Sequence, residues 1–328
     1  FLPPLKPNQS LEQVWECQVQ NEDPRHQGRA NIPALVVLGT QKGGTTMLAQ
    51  SLLFSHPDIV PTTKELHFFN RQHTLFQNGV PANTRTKYQQ ALLESIKQPK
   101  ENATHYIDAT PAYLFLSSRI PHWLLCTAPW IKAIVVLRNP IDRAYSEYNM
   151  IKQSNRFASN DNNNHNIPSF EEFIGMDMVN LQRAGVIRPF SNRREWEAFS
   201  GSAAELQAWD MYLSETRDFA PIGRGLYALQ LRHWQNALSR YNKSASDLLV
   251  VQSQSMKLDR DEVYRQVLNH MGLPYHPPPL ATSRDANVRQ YDMPMANETR
   301  AMLVDFFRPY NQQLTNLLGD DDWHGVWA

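Results

Sequence analysis

The chain has 328 residues, of which 41% are hydrophobic and 20% charged, and this size can bury one large core or two smaller ones. Its 32 basic residues balance 32 acidic ones, so no overall charge attracts nucleic acid or a membrane, and any anion site must be a local cluster. Two cysteines, Cys17 and Cys126, exclude a disulfide-rich scaffold and lack a zinc-binding spacing; they form either a single bridge or two buried thiols.

The first predicted elements follow a polar lead-in. We expect residues 1–33, which are polar and contain several prolines, to form an N-terminal arm, and residues 34–328 to form a single domain. The apolar run 34–39 predicts a strand buried on both faces. A helix is predicted to begin at Thr45 and to end before Pro57, because its leucines fall on one face.

The rest of the chain alternates apolar runs with helical patterns. Strands are predicted at 105–110, 132–138 and 247–253, and helices at 142–152, 203–216, 225–241, 259–272 and 298–319, the last with a candidate break at Pro309. An Asn-rich stretch near 153–168 predicts an exposed loop. Strands that alternate with helices imply an α/β fold with a mostly parallel sheet covered on both sides.

The segment GTQKGGTT, residues 39–46, joins the first predicted strand to the first predicted helix. Such a loop directs main-chain N–H groups at an anion, and the start of the helix adds partial positive charge. An ATP-binding loop has its lysine directly after the second glycine, whereas Thr45 follows Gly44 here and Lys42 precedes it by two places. The loop therefore favours an anion other than the end of a nucleoside triphosphate.

A second anion-binding pair follows the strand predicted at 132–138. Arg138 ends this strand, where an ATPase often carries an acidic residue, and Ser146 lies about two turns into the next helix. Ligands of parallel α/β sheets bind at the carboxyl edge, so we expect Arg138 and Ser146 to meet there. A guanidinium and a hydroxyl suit an isolated phosphate.

These motifs resemble those of sulfotransferases that use 3′-phosphoadenosine 5′-phosphosulfate (PAPS). GTQKGGTT resembles their 5′-phosphosulfate loop and LRNPIDRAYSEY their 3′-phosphate motif, and the separation of about ninety residues also matches. Further segments resemble those of Golgi carbohydrate (glycosaminoglycan-type) O-sulfotransferases: KELHFFN (64–70), IDATPAYL (107–114), GLYALQLRHW (225–234), NVR (287–289) and FFRPYNQQL (306–314). The resemblance covers roughly residues 34–323.

The resemblance implies a sulfotransferase fold, with a P-loop-like central parallel sheet flanked by helices. It also implies that the chain moves the sulfuryl group of PAPS to a hydroxyl of a carbohydrate, releases PAP, and requires no metal. The cofactor-binding residues that it implies are Gln41, Lys42, Gly43, Gly44, Thr45, Thr46, Arg138, Ser146, Tyr227, Asn287 and Arg289.

The resemblance also implies catalytic and acceptor-binding residues. Lys42 would neutralise the bridging oxygen, and Glu65 would act as general base, with its pKa raised in a partly desolvated cleft. His67 would assist or orient the acceptor, Lys64 would pair either with the neighbourhood of Glu65 or with an acidic acceptor, and Asp108 would bind the acceptor. The chain departs from the family pattern after Asp108, where alanine replaces the usual lysine, so an acceptor contact made through that lysine is not expected.

Other functions remain open at this level. The acceptor could be a small alcohol, phenol or amine; the chain could instead be a P-loop nucleotide kinase or NTPase, or a non-catalytic nucleotide- or glycan-binding module. We expect a carbohydrate partner, no nucleic acid, and a Golgi lumenal location, with the cytoplasm as the alternative; the sequence predicts no oligomeric state. Any membrane association is expected through an N-terminal anchor upstream of Phe1. Glycosylation motifs, which matter only in a secretory lumen, occur at Asn8, Asn102, Asn242 and Asn297.

Overall fold

The computed structural model describes residues 16–19, 34–154, 168–216, 219–278 and 294–319, together with Trp323 and Trp327. Within these residues four strands form a parallel sheet: β1 (Leu35–Gly39), β2 (Ile107–Asp108), β3 (Lys132–Leu137) and β4 (Leu248–Gln252). Their order across the sheet is β2–β1–β3–β4, and every neighbouring pair runs parallel. The four predicted strands and the predicted α/β class are therefore confirmed.

Helices connect and flank the strands. In chain order they are α1 (Phe68–Arg71), α2 (Thr84–Glu94), α3 (Ala112–Phe115), α4 (Ile120–Thr127), α5 (Pro140–Gln153), α6 (Phe170–Arg183), α7 (Arg193–Phe199), α8 (Ala203–Glu215), α9 (Tyr227–Arg240), α10 (Ser255–Leu258), α11 (Arg260–Met271) and α12 (Asn297–Leu318). Met47–Leu52 form π-helical turns, and 3₁₀ turns lie at Leu53–Ser55, His73–Phe76, Gly223–Gly225 and Ala245–Asp247. No helix of the described residues combines the length and the apolar character needed to cross a membrane.

The helices predicted from periodicity are present, and others were missed. The start of α6 had a sequence signal, because Ser169 and Glu172 form a reciprocal capping box. The candidate break at Pro309 is wrong, since α12 continues through it. A proline removes a single N–H donor, and the buried face of α12, which includes Phe307 and Leu314, keeps the helix in place. Most of the predicted Asn-rich loop, residues 155–167, lies outside the described part of the chain.

The chain divides into two compact units, which are described separately. The sheet unit contains residues 2–137 and 233–288, and the helical unit contains residues 138–232 and 289–328. That residues 34–328 act as one domain stays a prediction.

The core of the sheet unit lies against β1 and β3. Alternate strand residues such as Val37 and Ile134 are fully buried and pack with Leu48, Leu52 and apolar residues of α11. Because β1 is buried along its whole length, it shows a continuous apolar run rather than alternation.

A disulfide closes the sheet unit near the N-terminus. Cys17 and Cys126 are bonded, with their Cα atoms 5.8 Å apart, which settles the alternative between one bridge and two thiols. Beside the bond, the Gln18 N–H donates to the Val80 carbonyl at 3.0 Å, and the Val80 N–H donates to the Glu16 carbonyl at 2.7 Å. The described residues of the N-terminal arm are thus fixed covalently and by main-chain pairing.

Candidate active site

The loop after β1 is fixed to the neighbouring strand. The Thr40 N–H donates to the Val136 carbonyl of β3 at 2.9 Å, and the Gly43 N–H donates to the Thr40 carbonyl at 2.9 Å. Gly43 is required by this packing, because a Cβ there would lie 2.6 Å from the Val136 carbonyl oxygen. Gly44 has a φ of +107°, which favours glycine, and Lys42 has a φ of 68°, unusual for a residue with a side chain.

Helical structure begins directly after the glycines. Thr45 and Thr46 are helical, and the Leu48 N–H donates to the Gly44 carbonyl at 3.2 Å. The first amides of a helix have no partner within the helix, and they carry partial positive charge. A loop of small residues that brings the backbone to such a helix start fits a phosphate group.

Glu65 lies at the centre of a charged cluster in the sheet unit. Its two carboxylate oxygens are 2.9 Å from Lys64 Nζ and 3.0 Å from His67 Nε2. The other ring nitrogen of His67 lies 3.2–3.3 Å from the side-chain amide of Asn70. The Glu65 side chain is 34% exposed, so solvent or an acceptor can reach it.

The pKa of Glu65 corrects the sequence-based expectation. The hydrogen bond from His67, assisted by Lys64, lowers the pKa of Glu65 to about 2 and outweighs the opposing effect of burial. The expected rise in the pKa of Glu65 is therefore wrong, because desolvation is not the dominant influence. A carboxylate with so low a pKa is ionised but weakly basic while both partners remain in contact.

Asp108 fixes this segment from inside the fold. Its side chain is buried, and its oxygens accept hydrogen bonds from Tyr88 Oη at 2.8 Å and Thr110 Oγ1 at 2.6 Å. The Thr110 hydroxyl oxygen in turn accepts from the main-chain N–H groups of Leu66 at 3.1 Å and His67 at 3.2 Å. Burial raises the pKa of Asp108. Its carboxylate thus orients the backbone beside Glu65 through Thr110.

The segment 107–114 also contacts the anion loop. A Cβ on Gly39 would lie 2.7 Å from the Leu114 Cβ, so the loop begins in direct contact with α3. The Phe69 N–H donates to Tyr113 Oη at 3.3 Å. One segment therefore supports both the loop that starts at Gly39 and the turn that carries Glu65.

In the helical unit, the predicted phosphate-binding residues lie around the start of α5. Asn139 caps this helix, since its side-chain oxygen accepts from the N–H groups of Ile141 at 2.9 Å and Asp142 at 3.3 Å. Arg138 precedes the cap, and the buried Tyr227 donates from its hydroxyl to the Arg138 carbonyl at 2.8 Å. Ser146 lies on α5 and is 3% exposed.

A cluster of possible metal ligands occurs elsewhere in the sheet unit. One ligand atom from each of His56, Asp58 and His276 lies within 4.8 Å of the others. However, His56 Nδ1 accepts from the Asp58 N–H at 3.1 Å and Nε2 pairs with the Pro274 carbonyl at 2.9 Å. Since both ring nitrogens already have partners, we assign this cluster to structure, and the expectation that no metal is required stays a prediction.

The segments of the site are evident from the sequence, whereas most of the contacts inside them are not. Thr110 stands in the quoted segment IDATPAYL, yet its role as acceptor for two main-chain amides had no sequence signal. Tyr88 is 20 residues from Asp108, its partner, so only the fold reveals the pair. The predicted cofactor residues Asn287 and Arg289 lie outside the described residues.

The chain is similar to known proteins over most of its length. A family model described as "Sulfotransferase domain" matches residues 33–291. Among solved structures, the crystal structure of a sulfotransferase from Alicyclobacillus acidocaldarius has a TM-score of 0.55 and 20% identity, covering 89% of this chain and 98% of that one. This likeness shows the fold.

Curated relatives include sulfotransferases with named acceptors. Heparan sulfate glucosamine 3-O-sulfotransferase 6 of Homo sapiens is 31% identical over 37% of this chain and 31% of its own length. Membrane-associated sulfotransferase kil1 of Dictyostelium discoideum is 25% identical over 88% of this chain and 66% of its own length. Bifunctional heparan sulfate N-deacetylase/N-sulfotransferase 4 of Mus musculus is 24% identical over 88% of this chain and 30% of its own length. The matched part thus spans less than two thirds of each of these relatives.

Proposed function

The chain belongs to the sulfotransferase family, and from this premise we propose that it moves the sulfuryl group of PAPS to a hydroxyl of a carbohydrate and releases PAP. The observation that carries the proposal is the loop between β1 and the first helical turn. There Gly43 and Gly44 bring main-chain amides to a helix start, and Lys42 precedes Gly44 by two places. Such a start binds phosphate oxygens, and the displaced lysine suits a terminal group other than a γ-phosphate.

Different residues hold the two phosphates of the cofactor in this proposal. Main-chain amides of Gly44–Thr46 and the hydroxyls of Thr45 and Thr46 hold the 5′-phosphate, and Arg138 with Ser146 holds the 3′-phosphate. Gly43 contributes through its close packing, because its own N–H already donates to the Thr40 carbonyl. Support for the second assignment comes from Tyr227, which fixes the carbonyl of Arg138. The proposed set is completed by Gln41, Lys42, Asn287 and Arg289.

The chemical roles follow from the charges of the side chains. When bound, the cofactor supplies a sulfuryl group on a bridging oxygen that gains negative charge as its S–O bond breaks. Lys42 neutralises that charge, and Glu65 accepts the proton of the acceptor hydroxyl, whose oxygen forms the new S–O bond. Because Lys64 and His67 contact both oxygens of Glu65, the hydroxyl replaces one of them and thereby raises the basicity of the carboxylate.

A carbohydrate, of glycosaminoglycan-like character, is the acceptor that we favour. Support comes from the relatives named for heparan sulfate and from the partly exposed Lys64 beside Glu65, whose charge suits an acidic sugar. Asp108 acts on the acceptor only through Thr110 and the backbone beside Glu65, because its own carboxylate is buried. A small alcohol, phenol or amine is the alternative acceptor.

We place the protein in the lumen of the Golgi, as a glycoprotein. Disulfides persist in oxidising compartments, and the Cys17–Cys126 bond therefore favours the lumen over the cytoplasm. Asn102 and Asn242, which belong to glycosylation motifs, are exposed and lie in turns, as an N-glycan requires.

A thermal-shift comparison tests the donor. PAP should raise the melting temperature, and ADP with Mg²⁺ should not, because only the ligand that binds the native state stabilises it. The reverse result, together with Mg²⁺-dependent ATP turnover, would identify a nucleotide kinase or NTPase instead.

Incubation with labelled PAPS and a panel of glycans and small hydroxyl compounds tests the acceptor. Label should transfer to a polysaccharide. Transfer to small acceptors alone would exclude the carbohydrate assignment, and PAP binding without transfer to any compound would indicate a non-catalytic module.

A further inference from the structure

A buried carboxylate in the helical unit holds the turn that precedes α9. Asp177, on α6, accepts hydrogen bonds from the main-chain N–H groups of Ile222 at 2.7 Å and Gly223 at 3.0 Å. It also accepts from Tyr212 Oη of α8 at 2.6 Å. Burial raises the pKa of Asp177 to about 6, against the hydrogen bonds that lower it. One side chain thus connects two helices to the turn Pro221–Gly225.

Further charged groups surround the same turn. Arg143 of α5 donates from Nη1 to Glu147 at 2.8 Å and from Nη2 to the Pro221 carbonyl. Arg224, in the turn itself, lies 3.4 Å from the other oxygen of Glu147. These side chains are at most 10% exposed. Among the described residues, the charged or titratable groups that face Asp177 are therefore Glu147 from α5, Tyr212 from α8 and Arg224 from the turn, and Arg143 from α5 acts on Arg224.

The turn is in contact with the segment that carries Arg138. A Cβ on Gly225 would lie 2.9 Å from the Pro140 Cβ, at the first residue of α5. Two residues beyond Gly225, Tyr227 donates its hydroxyl to the Arg138 carbonyl at 2.8 Å. A shift of the turn would therefore move both the start of α5 and the hydroxyl that holds Arg138.

Stability alone does not account for this network. Buried ion pairs are weak sources of stability, because desolvation offsets their attraction. Here Arg143 Nε and Gln230 Oε1 are also buried without a hydrogen-bond partner among the described residues. The polar atoms converge instead on one turn, since Gln230 Nε2 also donates to the Gly223 carbonyl at 2.8 Å.

We propose that Asp177 is a positioning residue for recognition of the 3′-phosphate, because it fixes the turn Pro221–Gly225 and thereby the Tyr227 hydroxyl that holds Arg138. The inference rests on the proposed function, in which Arg138 and Ser146 bind this phosphate. Asp177 itself does not touch the cofactor in this assignment.

The test compares two nucleotides that differ only in the 3′-phosphate, PAP and AMP, by calorimetric titration. In D177N the shape is kept, but only one of the two acceptor oxygens remains, so the two main-chain N–H groups and Tyr212 Oη can no longer all donate to this side chain. PAP affinity should fall by about tenfold or more while AMP affinity stays within about twofold, so the preference for PAP should shrink. A defect of folding or of the whole cofactor site would weaken both nucleotides equally and overturn the proposal.

Two further variants control the experiment. Glu205 is another buried carboxylate of the helical unit, bonded to the Gly201 N–H at 2.6 Å and to Arg232, and E205Q should leave the PAP preference unchanged. Y212F removes a single hydrogen bond to Asp177 and should reduce the preference by a smaller factor; it replaces D177N should that variant not fold.

The outcomes distinguish a failure of the proposed function from a failure of the role of Asp177. A wild-type protein that binds PAP no better than AMP would overturn the proposed function. A wild-type preference for PAP that persists undiminished in both D177N and Y212F would overturn only the role of Asp177.

Discussion

Glu65 illustrates how far a residue's chemistry depends on its immediate neighbours. The sequence identifies it through KELHFFN, but its pKa is set by contacts with Lys64 and His67. The contact with His67 depends on a left-handed backbone at that residue, with a φ of 56°, which turns the ring back towards the carboxylate. A non-glycine residue in this conformation has no reliable sequence signal, so the direction of the pKa shift could not be predicted.

Substitution of Glu65 tests its role as proton acceptor. We expect E65Q to lower turnover by about 100-fold or more, because the amide cannot take a proton, while the melting-temperature shift with PAP is retained. The rate of transfer from labelled PAPS measures this. Glu94, an exposed residue of α2, provides the control: E94Q should transfer at the wild-type rate. Near-normal turnover of E65Q would remove it as the base.

Gly43 gives a second test at the scale of one residue. In G43A the new Cβ would lie 2.6 Å from the Val136 carbonyl oxygen, so the loop must shift and the stabilisation by PAP should be largely lost. The control is Gly175 in α6, where no atom lies within 4 Å of an added Cβ. G175A should keep the PAP shift and add about 0.5–1 kcal/mol of stability. Equal PAP shifts in the two variants would contradict the role of the loop.

At the scale of elements, burial decides what the sequence reveals. β1 and β3 were predicted because strands buried on both faces have continuous apolar runs, and α12 because its apolar periodicity is long. In contrast, α2 has only a few buried positions in a polar stretch, so its periodicity is weak. β2 was predicted as a strand, but it is only two residues long, and its pairing with β1 depends on the fold rather than on local sequence.

The segment 107–114 is coupled to the turn that carries Glu65 through Thr110, and a substitution of Thr110 tests this coupling. T110V keeps the shape of Thr110 but removes the acceptor for the amides of Leu66 and His67 and the donor to Asp108. We expect a loss of about 1–3 kcal/mol in the free energy of unfolding, since buried polar groups lose partners. Turnover should also fall with PAP affinity unchanged, measured by transfer rate and calorimetry. Reduced PAP affinity at normal turnover would contradict the prediction that Thr110 affects turnover and not cofactor binding.

Asp177, on α6, makes the stability of the folded protein depend on pH, and the sign of this dependence follows from its pKa. Its pKa is raised from 3.8 to about 6, so between these values the folded chain binds a proton that the unfolded chain has lost. The contribution of Asp177 to stability therefore falls as pH rises through this window, by about 3 kcal/mol in total. Urea unfolding from pH 4 to 7 should show this decline in the wild type relative to D177N. Parallel curves for the two proteins would contradict it.

At the scale of the whole molecule, the disulfide is the long-range constraint. It joins residues 109 positions apart and ties the described part of the N-terminal arm to α4. The sequence alone leaves open whether the two cysteines form a bond, because their pairing depends on how the fold brings distant segments together.

Removal of the disulfide should lower the stability of the protein measurably. We expect C17S to lose about 2–4 kcal/mol in the free energy of unfolding, because the unfolded chain regains the freedom of a long loop. Denaturant unfolding with and without a reductant checks this. The reductant should destabilise the wild type and leave C17S unaffected; equal stability of the oxidised and reduced wild type would show that the bond contributes nothing.

The same bond makes a covalent ring of the chain from Cys17 to Cys126, and Lys42, Glu65, His67 and Asp108 all lie inside it. A protease that cuts the ring once cannot release either piece, so the chemical groups of the sheet unit stay attached to one another after cleavage. Such a nicked molecule would migrate intact on a non-reducing gel and separate into two fragments only when the thiols are freed.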